Sequence, residues 1–265
     1  MNETNGTQMG KFTDVDATGE ADRFIAFLEW IENLPQSAAL RELSYSLLNI
    51  QPEDLIIDVG CGTGKAVSEL SEKEATTVGV DLSEQMISVA KRRFPECNFR
   101  VAKAESLPFN DNTVNSYRAE RLYQHLTEPF QALSEAHRIL VTGGRIVLLD
   151  QDYDMWAIDA DDMTITRAIM RAHADSIANS WMGRQYHNLL LDCGFVNVSV
   201  IIQTLVYTNY SQVAPILPGI VNVAVDTKTI TNGQADAWLK EQENRGKKGK
   251  FFLAMPIFVA SGIRL

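Results

Sequence analysis

The run Asp58-Val59-Gly60-Cys61-Gly62-Thr63-Gly64 carries the strongest chemical signal in the chain. It follows the apolar Leu55-Ile56-Ile57 and opens a helical segment at Lys65. Glycines at alternate positions remove Cβ atoms where a backbone must turn sharply and meet a ligand closely. About twenty residues on, Val78-Gly79-Val80-Asp81 ends in a carboxylate, the spacing of a ribose ligand. One carboxylate can accept from both ribose hydroxyls through charge-assisted bonds. Three kinds of glycine loop compete. A dinucleotide loop needs glycine at 65, where Lys65 stands. A nucleotide-hydrolase phosphate loop needs glycine at 59 and Ser or Thr at 66, where Val59 and Ala66 stand. Acidic-x-Gly-x-Gly-x-Gly remains. Taken singly, these residues also suit a ligand-free strand–helix turn, with Asp81 as a helix-start anion.

Other side chains fall at the same end of the expected sheet. His125, in Leu122-Tyr123-Gln124-His125-Leu126, follows the fourth strand, and an ordinary pKa near 6.5 suits a general base. Its plainer reading is a packed, hydrogen-bonded histidine. Asp150 and Asp152 follow the fifth strand, where they could orient a substrate amine or hydroxyl. Tyr153, Met155, Trp156, Trp181 and Met182 could form an apolar substrate wall, although such residues are more often plain core. His137, His173 and His187 read as structural or exposed.

These groups need a scaffold that delivers them to one edge. Helical spacing is expected over Asp22–Ile31 and Ala38–Leu48. Short apolar strands then alternate with amphipathic helices: strands at Leu55–Val59, Thr77–Val80, Asn98–Ala102, Thr113–Tyr117 and Arg145–Leu149. The intervening helices start at Lys65, at Glu84 with Ser83 as its cap, and at Pro129, the last ending at Leu140 before Gly143-Gly144. Such alternation calls for a parallel, doubly wound sheet. Asp162–Ala178 and Gly183–Leu191 read as further helices. Val196–Val206 and Phe251–Ile263 read as long strands able to pair antiparallel. Between them, residues 208–248 form an insertion, read as either a substrate cap or a surface excursion. Residues 1–50 are expected to be a polar tail and an N-terminal helical lid, and 51–265 the main domain.

Composition narrows the function classes. The 265 residues hold 34 Asp and Glu against 24 Lys and Arg, a net charge of −10. That balance opposes a nucleic-acid footprint, which needs concentrated basic surface. The basic run Arg245–Lys250 reads as a solvated loop. Cys61, Cys97 and Cys193 lie far apart, and the histidines show no metalloprotease pairing, so neither a disulfide framework nor a metal site is expected. No apolar run is long enough to span a bilayer. The simplest compartment is the cytoplasm.

The residues Ile56–Gly64, Gly79–Ser83, Ala104-Glu105-Ser106-Leu107-Pro108-Phe109 and Arg138–Gly144 follow in an order that resembles the class I methyltransferases of the ubiquinone/menaquinone-biosynthesis type, a group that includes many natural-product enzymes. The resemblance implies a Rossmann-like α/β fold: a mostly parallel seven-stranded sheet, helices on both faces and an antiparallel C-terminal hairpin. It implies S-adenosyl-L-methionine as cofactor and a small, partly apolar acceptor, with the acceptor atom and the oligomeric state left open. By resemblance, Gly60, Cys61, Gly62 and Gly64 line the methionyl and ribose part, and Asp58 holds the loop or the methionyl amine. Asp81 takes the ribose hydroxyls, Leu82 and Met86 lie beside the adenine, and Ala104 and Glu105 flank its edge. Glu120 and Arg121 approach the methionine end. Relatives often carry Asp before the Ala-Glu pair; Lys103 stands there and cannot accept from the adenine amine. The alternative is a related protein that binds the cofactor but catalyses a cyclisation or rearrangement.

Overall fold

The computed structural model describes residues 16, 21–73 and 75–265, so the tail read at 1–11 lies outside the described residues. Two helices come first, α1 (Ala21–Glu32) and α2 (Pro35–Leu48). The α2 helix starts three residues before the expected Ala38, because Pro35 sits in its first turn, where the missing N–H costs nothing. Strand–helix alternation then runs through β1 (Leu55–Val59), α3 (Lys65–Ser71), β2 (Thr76–Asp81), α4 (Glu84–Arg93), β3 (Asn98–Val101), β4 (Val114–Glu120), α5 (Pro129–Ile139) and β5 (Leu140–Gln151). These five strands are parallel, in the spatial order β3-β2-β1-β4-β5.

The last third supplies β6 (Ala157–Ile158), α6 (Met163–Asp175), α7 (Met182–Asp192), β7 (Phe195–Tyr207), α8 (Leu217–Asp226), α9 (Asn232–Lys247) and β8 (Leu253–Arg264). β8 runs antiparallel to both β5 and β7, as the hairpin reading expected. The sheet has eight strands, one more than expected. After Gln151 the chain leaves the sheet, then returns to pair Ala157 and Ile158 with Ala254 and Leu253 of β8. A two-residue strand carries no alternation long enough to read.

Alternation along the strands separates two cores. Ile56, Val147 and Leu149 face one side, with α2, α6 and the helices of the insertion. Ile57, Ile146 and Leu148 face the other, with α5 and α7. Apolar residues on both faces are what a sheet covered by helices on both sides requires.

Two local expectations are corrected. β5 starts at Leu140 rather than Arg145, so Gly143 and Gly144, past the end of α5 as expected, lie inside it, and its register against β4 slips between Val114 and Ser116. Arg245–Lys247 close α9 instead of forming a loop, and Arg245 pairs with Asp159, Asp161 and Glu241. The insertion is built of α8 and α9, whose Ile220, Val221, Ala224 and Trp238 join the first core. No helix among the described residues is long and apolar enough to cross a membrane.

Candidate functional site

The glycine loop is tied to β2. The amides of Gly60 and Cys61 both donate to the Val80 carbonyl, at 2.8 and 3.0 Å. The Gly62 amide donates to Asp81 Oδ2 at 2.9 Å, and the Ser83 amide to Asp81 Oδ1 at 2.9 Å. Gly60, Gly62 and Gly64 have φ of +73°, +52° and +88°. Side-chain-bearing residues rarely adopt that region. At Gly64 space also forbids a side chain: a Cβ would lie 2.7 Å from Phe99 Cζ. Burial pushes the Asp81 carboxyl above its usual range, and the two amides oppose it. Ser83 caps α4 by accepting from the Met86 amide at 3.0 Å.

Between the ends of β1 and β4 lies a buried charge cluster. Arg118 Nη1 is 2.6 Å from Asp58 Oδ1, and its other nitrogens reach Glu120 and, at 2.8 Å, Ser44 Oγ. Arg121 Nη2 is 2.5 Å from Glu120 Oε1. Two guanidinium groups thus meet two carboxylates. The cations pull the Glu120 carboxyl below its usual value against its burial, whereas burial prevails at Asp58 and raises it. Arg121 has φ of +54°, held by its amide donating to Leu149 O at 2.7 Å. Backbone strain of this kind concentrates at ligand sites.

These elements enclose a cavity of about 580 Å³, within the usual size of small-molecule sites. Asp58, Gly60, Cys61 and Gly62 border it at the loop, with Asp81, Leu82 and Met86 beyond. Ala104, Glu105, Arg121 and His125 complete the set of expected residues on its walls. Lys103 borders it too, and its carbonyl is engaged by the Ser106 amide at 3.1 Å. Gly64 lies behind the loop against Phe99. From α1, Phe27, Leu28 and Ile31 reach over the cavity; Leu28 Cδ1 is 3.2 Å from where a Gly62 Cβ would be.

His125 is buried, with its Nε2 3.0 Å from Gln124 Nε2, and burial lowers its pKa to about 4. Asp150 and Asp152 stand apart from this cavity. Asp150 accepts from the Tyr186 hydroxyl, and burial pushes its pKa up to about 8. Asp152 is fully buried and paired with Arg184, Nη2 to Oδ1 being 2.6 Å. Neither lines the cavity: β5 runs two residues past Leu149, to Gln151, and the carboxylates in and just after its end are buried. Of the wall residues, Tyr153 and Trp156 stack together, Met182 is core, and Met155 and Trp181 are exposed. Among the described residues, no cluster of His, Cys, Asp and Glu is placed to hold a metal ion.

Arg118, Glu32, Thr63 and Arg93 escaped the sequence reading. Arg118 had a legible signal, a lone cation inside the otherwise neutral strand core Val114–Ala119, since arginine is almost never fully buried without a partner. The others act together: Thr63 Oγ1 donates to Glu32 Oε1 at 2.6 Å, and Arg93 donates to both Thr63 and Glu32. Nothing local marks contacts between residues thirty or sixty positions apart.

Residues 57–148 match a family model described as a methyltransferase domain. A 37.1 kDa protein of transposon TN4556 from Streptomyces fradiae is 29% identical over 89% of this chain and 70% of its own length. A demethylmenaquinone methyltransferase of Renibacterium salmoninarum is 29% identical over 44% of this chain and 50% of its own, so the shared stretch spans half of that enzyme. The crystal structure of the YcgJ protein from Bacillus subtilis superposes with a TM-score of 0.60 at 19% identity, covering 84% of this chain and 97% of that one. Its likeness concerns the fold. The domain match, the motif order and the loop geometry agree in a likeness to the class I S-adenosylmethionine-dependent methyltransferases, carried by residues 57–148.

Proposed function

We propose that the chain transfers the methyl group of S-adenosylmethionine to a small, partly apolar metabolite, of the kind found in natural-product biosynthesis. The observation that carries this reading is the single cavity that puts the bare backbone of Gly60–Gly62, the Asp81 carboxylate and the Ala104-Glu105 edge on its walls. The cofactor supplies an electrophilic methyl group on a sulfonium. The chain's own work is to bind, align and exclude water. Gly60 and Gly62 admit a close ligand, and Asp81, each oxygen already fixed by one amide, keeps lone pairs for two ribose hydroxyls. Asp58, Arg118 and Glu120 fix the end where the methionyl group would lie. A neutral His125 on the wall can orient an acceptor or take its proton. The α1 helix serves as lid and residues 208–248 as cap. The acidic surface makes nucleic acid a poor substrate, and free thiols at Cys61, Cys97 and Cys193 suit a reducing cytoplasm.

Calorimetry with S-adenosylhomocysteine tests the cofactor half. The unaltered chain should bind it, and Asp81→Ala should weaken binding by about tenfold or more through the loss of two charge-assisted bonds. No binding by the unaltered chain would refute the assignment. A metabolite screen with labelled cofactor tests the transfer. A product one methyl group heavier supports it, whereas an isomeric product with the cofactor unconsumed would assign the pocket to cyclisation or rearrangement.

A further inference from the structure

A second, smaller chamber of about 20 Å³ lies against α1. Phe27 and Ile31 border both cavities, so these side chains alone from α1 stand in both walls. Its apolar lining includes Trp30, Tyr207, Ile216, Ile220 and Met255, drawn from α1, β7, the insertion and β8. No charged residue among the described ones borders it. Gln212, Trp30 and Tyr207 bring polar atoms to its lining, and two further polar side chains border it, Gln151 at the end of β5 and Trp156 just before β6. They are 4% and 8% exposed, and Gln151 Oε1 and Trp156 Nε1 make no hydrogen bond. Leaving a buried donor or acceptor unmade costs about 1–3 kcal/mol each. Native proteins rarely tolerate such groups without a ligand or water to satisfy them.

We infer that this chamber is the specificity end of the acceptor site and takes an uncharged, apolar group that ends in a hydroxyl. The inference rests on the proposed methyl transfer and goes further by naming the acceptor's chemistry. A hydroxyl is the small group that meets both needs at once: it donates to Gln151 Oε1 and accepts from Trp156 Nε1–H. The apolar walls exclude a carboxylate or ammonium, because an unpaired charge there would be desolvated with no counter-ion. At its present size the chamber holds about one water, so the acceptor enters by displacing Phe27 and Ile31. That movement joins the chamber to the larger cavity and places the acceptor's body between the hydroxyl anchor and the methyl donor. Trp156 is braced for this role, stacked on Tyr153 at 5.5 Å with His173 edge-on at 5.4 Å.

The test uses the full chain saturated with S-adenosylhomocysteine and three probes of matched shape: 4-butylphenol, butylbenzene and 4-butylbenzoate. Calorimetry should rank the phenol about tenfold tighter than the hydrocarbon, one net hydrogen-bond pair, and the benzoate should not bind. Gln151→Leu and Trp156→Phe should each erase most of the phenol's advantage while leaving butylbenzene and S-adenosylhomocysteine affinities unchanged. Ile220→Trp fills the chamber and should abolish phenol binding while nucleoside binding persists. Equal affinity for phenol and hydrocarbon, preference for the benzoate, or phenol binding unchanged in Ile220→Trp would each overturn the inference. If S-adenosylhomocysteine binds and none of the probes does, the chamber assignment fails and the cofactor assignment stands. If the nucleoside itself does not bind, the methyl-transfer reading fails first.

Discussion

Two buried titratable groups set what single residues can do near the site. His125 is held near pKa 4 by burial, so its imidazole is neutral throughout the physiological range. A base that weak is poorly matched to abstracting a hydroxyl proton at pH 7; in the proposed reaction it would orient the acceptor. The rate of a His125-dependent step should therefore stay level from pH 8 to about 5, and a fall centred near 6.5 in the pH profile would contradict this. His125→Ala should lower kcat by about 10²-fold if the imidazole also takes the proton, and far less if it only orients. Asp150 is the opposite case, a carboxyl whose pKa in the fold is raised to about 8 by burial despite the Tyr186 hydroxyl. Its folded value lies above its unfolded one, near 3.9, so its contribution is complete below about pH 4 and is lost as pH rises towards 8. Asn at this position keeps an acceptor for Tyr186 and cannot ionise. Asp150→Asn should match the parent in urea melts at pH 4 and exceed it by about 1–3 kcal/mol at pH 8, and a constant difference across that range would refute the assignment.

At the scale of elements, α1 borders the cavity, and its hold on the core is specific. Its C-terminal Glu32 receives Thr63 of the glycine loop at 2.6 Å and Arg93 of α4 at 3.0 Å. Upstream of α1, Asp16 accepts from the Glu84 amide at 2.8 Å, at the start of α4. Asp16 and the end of α1 are thus pinned to the two elements that would hold the nucleoside. Arg93→Ala removes the bond to Glu32 and the one at 2.6 Å to Thr63 Oγ1. Stopped-flow dissociation of S-adenosylhomocysteine should speed up by about five- to tenfold, as for one or two partly exposed charge-assisted bonds; an unchanged off-rate would show that α1 does not gate release. This latch was illegible in the sequence, as long-range ion pairs leave no periodic trace. The glycine loop, Asp81 and Ser83 were legible, because positive φ, a strand-end carboxylate and a helix cap each demand particular residue types at fixed offsets. Asp150 and Asp152 were misjudged for a related reason. Alternation located β5 but not the length of its exit, and both carboxylates, Asp150 in the longer strand and Asp152 just beyond it, are buried.

For the whole molecule, the sheet has a long edge with little of the usual protection beyond a bulge between Val196 and Ser199. β7 spans Phe195–Tyr207 and pairs with β8 as its sheet neighbour. Its residues include no charge and no proline, and Ile201, Ile202 and Val206 are 40, 49 and 46% exposed. Edge strands usually carry lysine, proline or a covering element, because unpaired N–H and C=O groups template pairing with another chain. Here the main defence is the net charge of −10, which keeps copies apart at neutral pH. That defence is weakened by salt, which screens charge beyond about 8 Å at physiological ionic strength, and by acid, which neutralises the carboxylates. Association through β7 should therefore rise with added salt and on lowering the pH from 8 towards 5. A lysine at Ile202 sits on an exposed position, leaves both cores untouched and restores the missing charge to the edge. Ile202→Lys should keep the melting temperature within a degree or two, since surface changes away from packed features lie within about ±0.5 kcal/mol, and should suppress the salt- and acid-induced rise in light scattering. If the parent scatters no more than the variant under these conditions, the exposed edge is innocuous. If the variant unfolds earlier, Ile202 contributes to packing beyond what its exposure indicates.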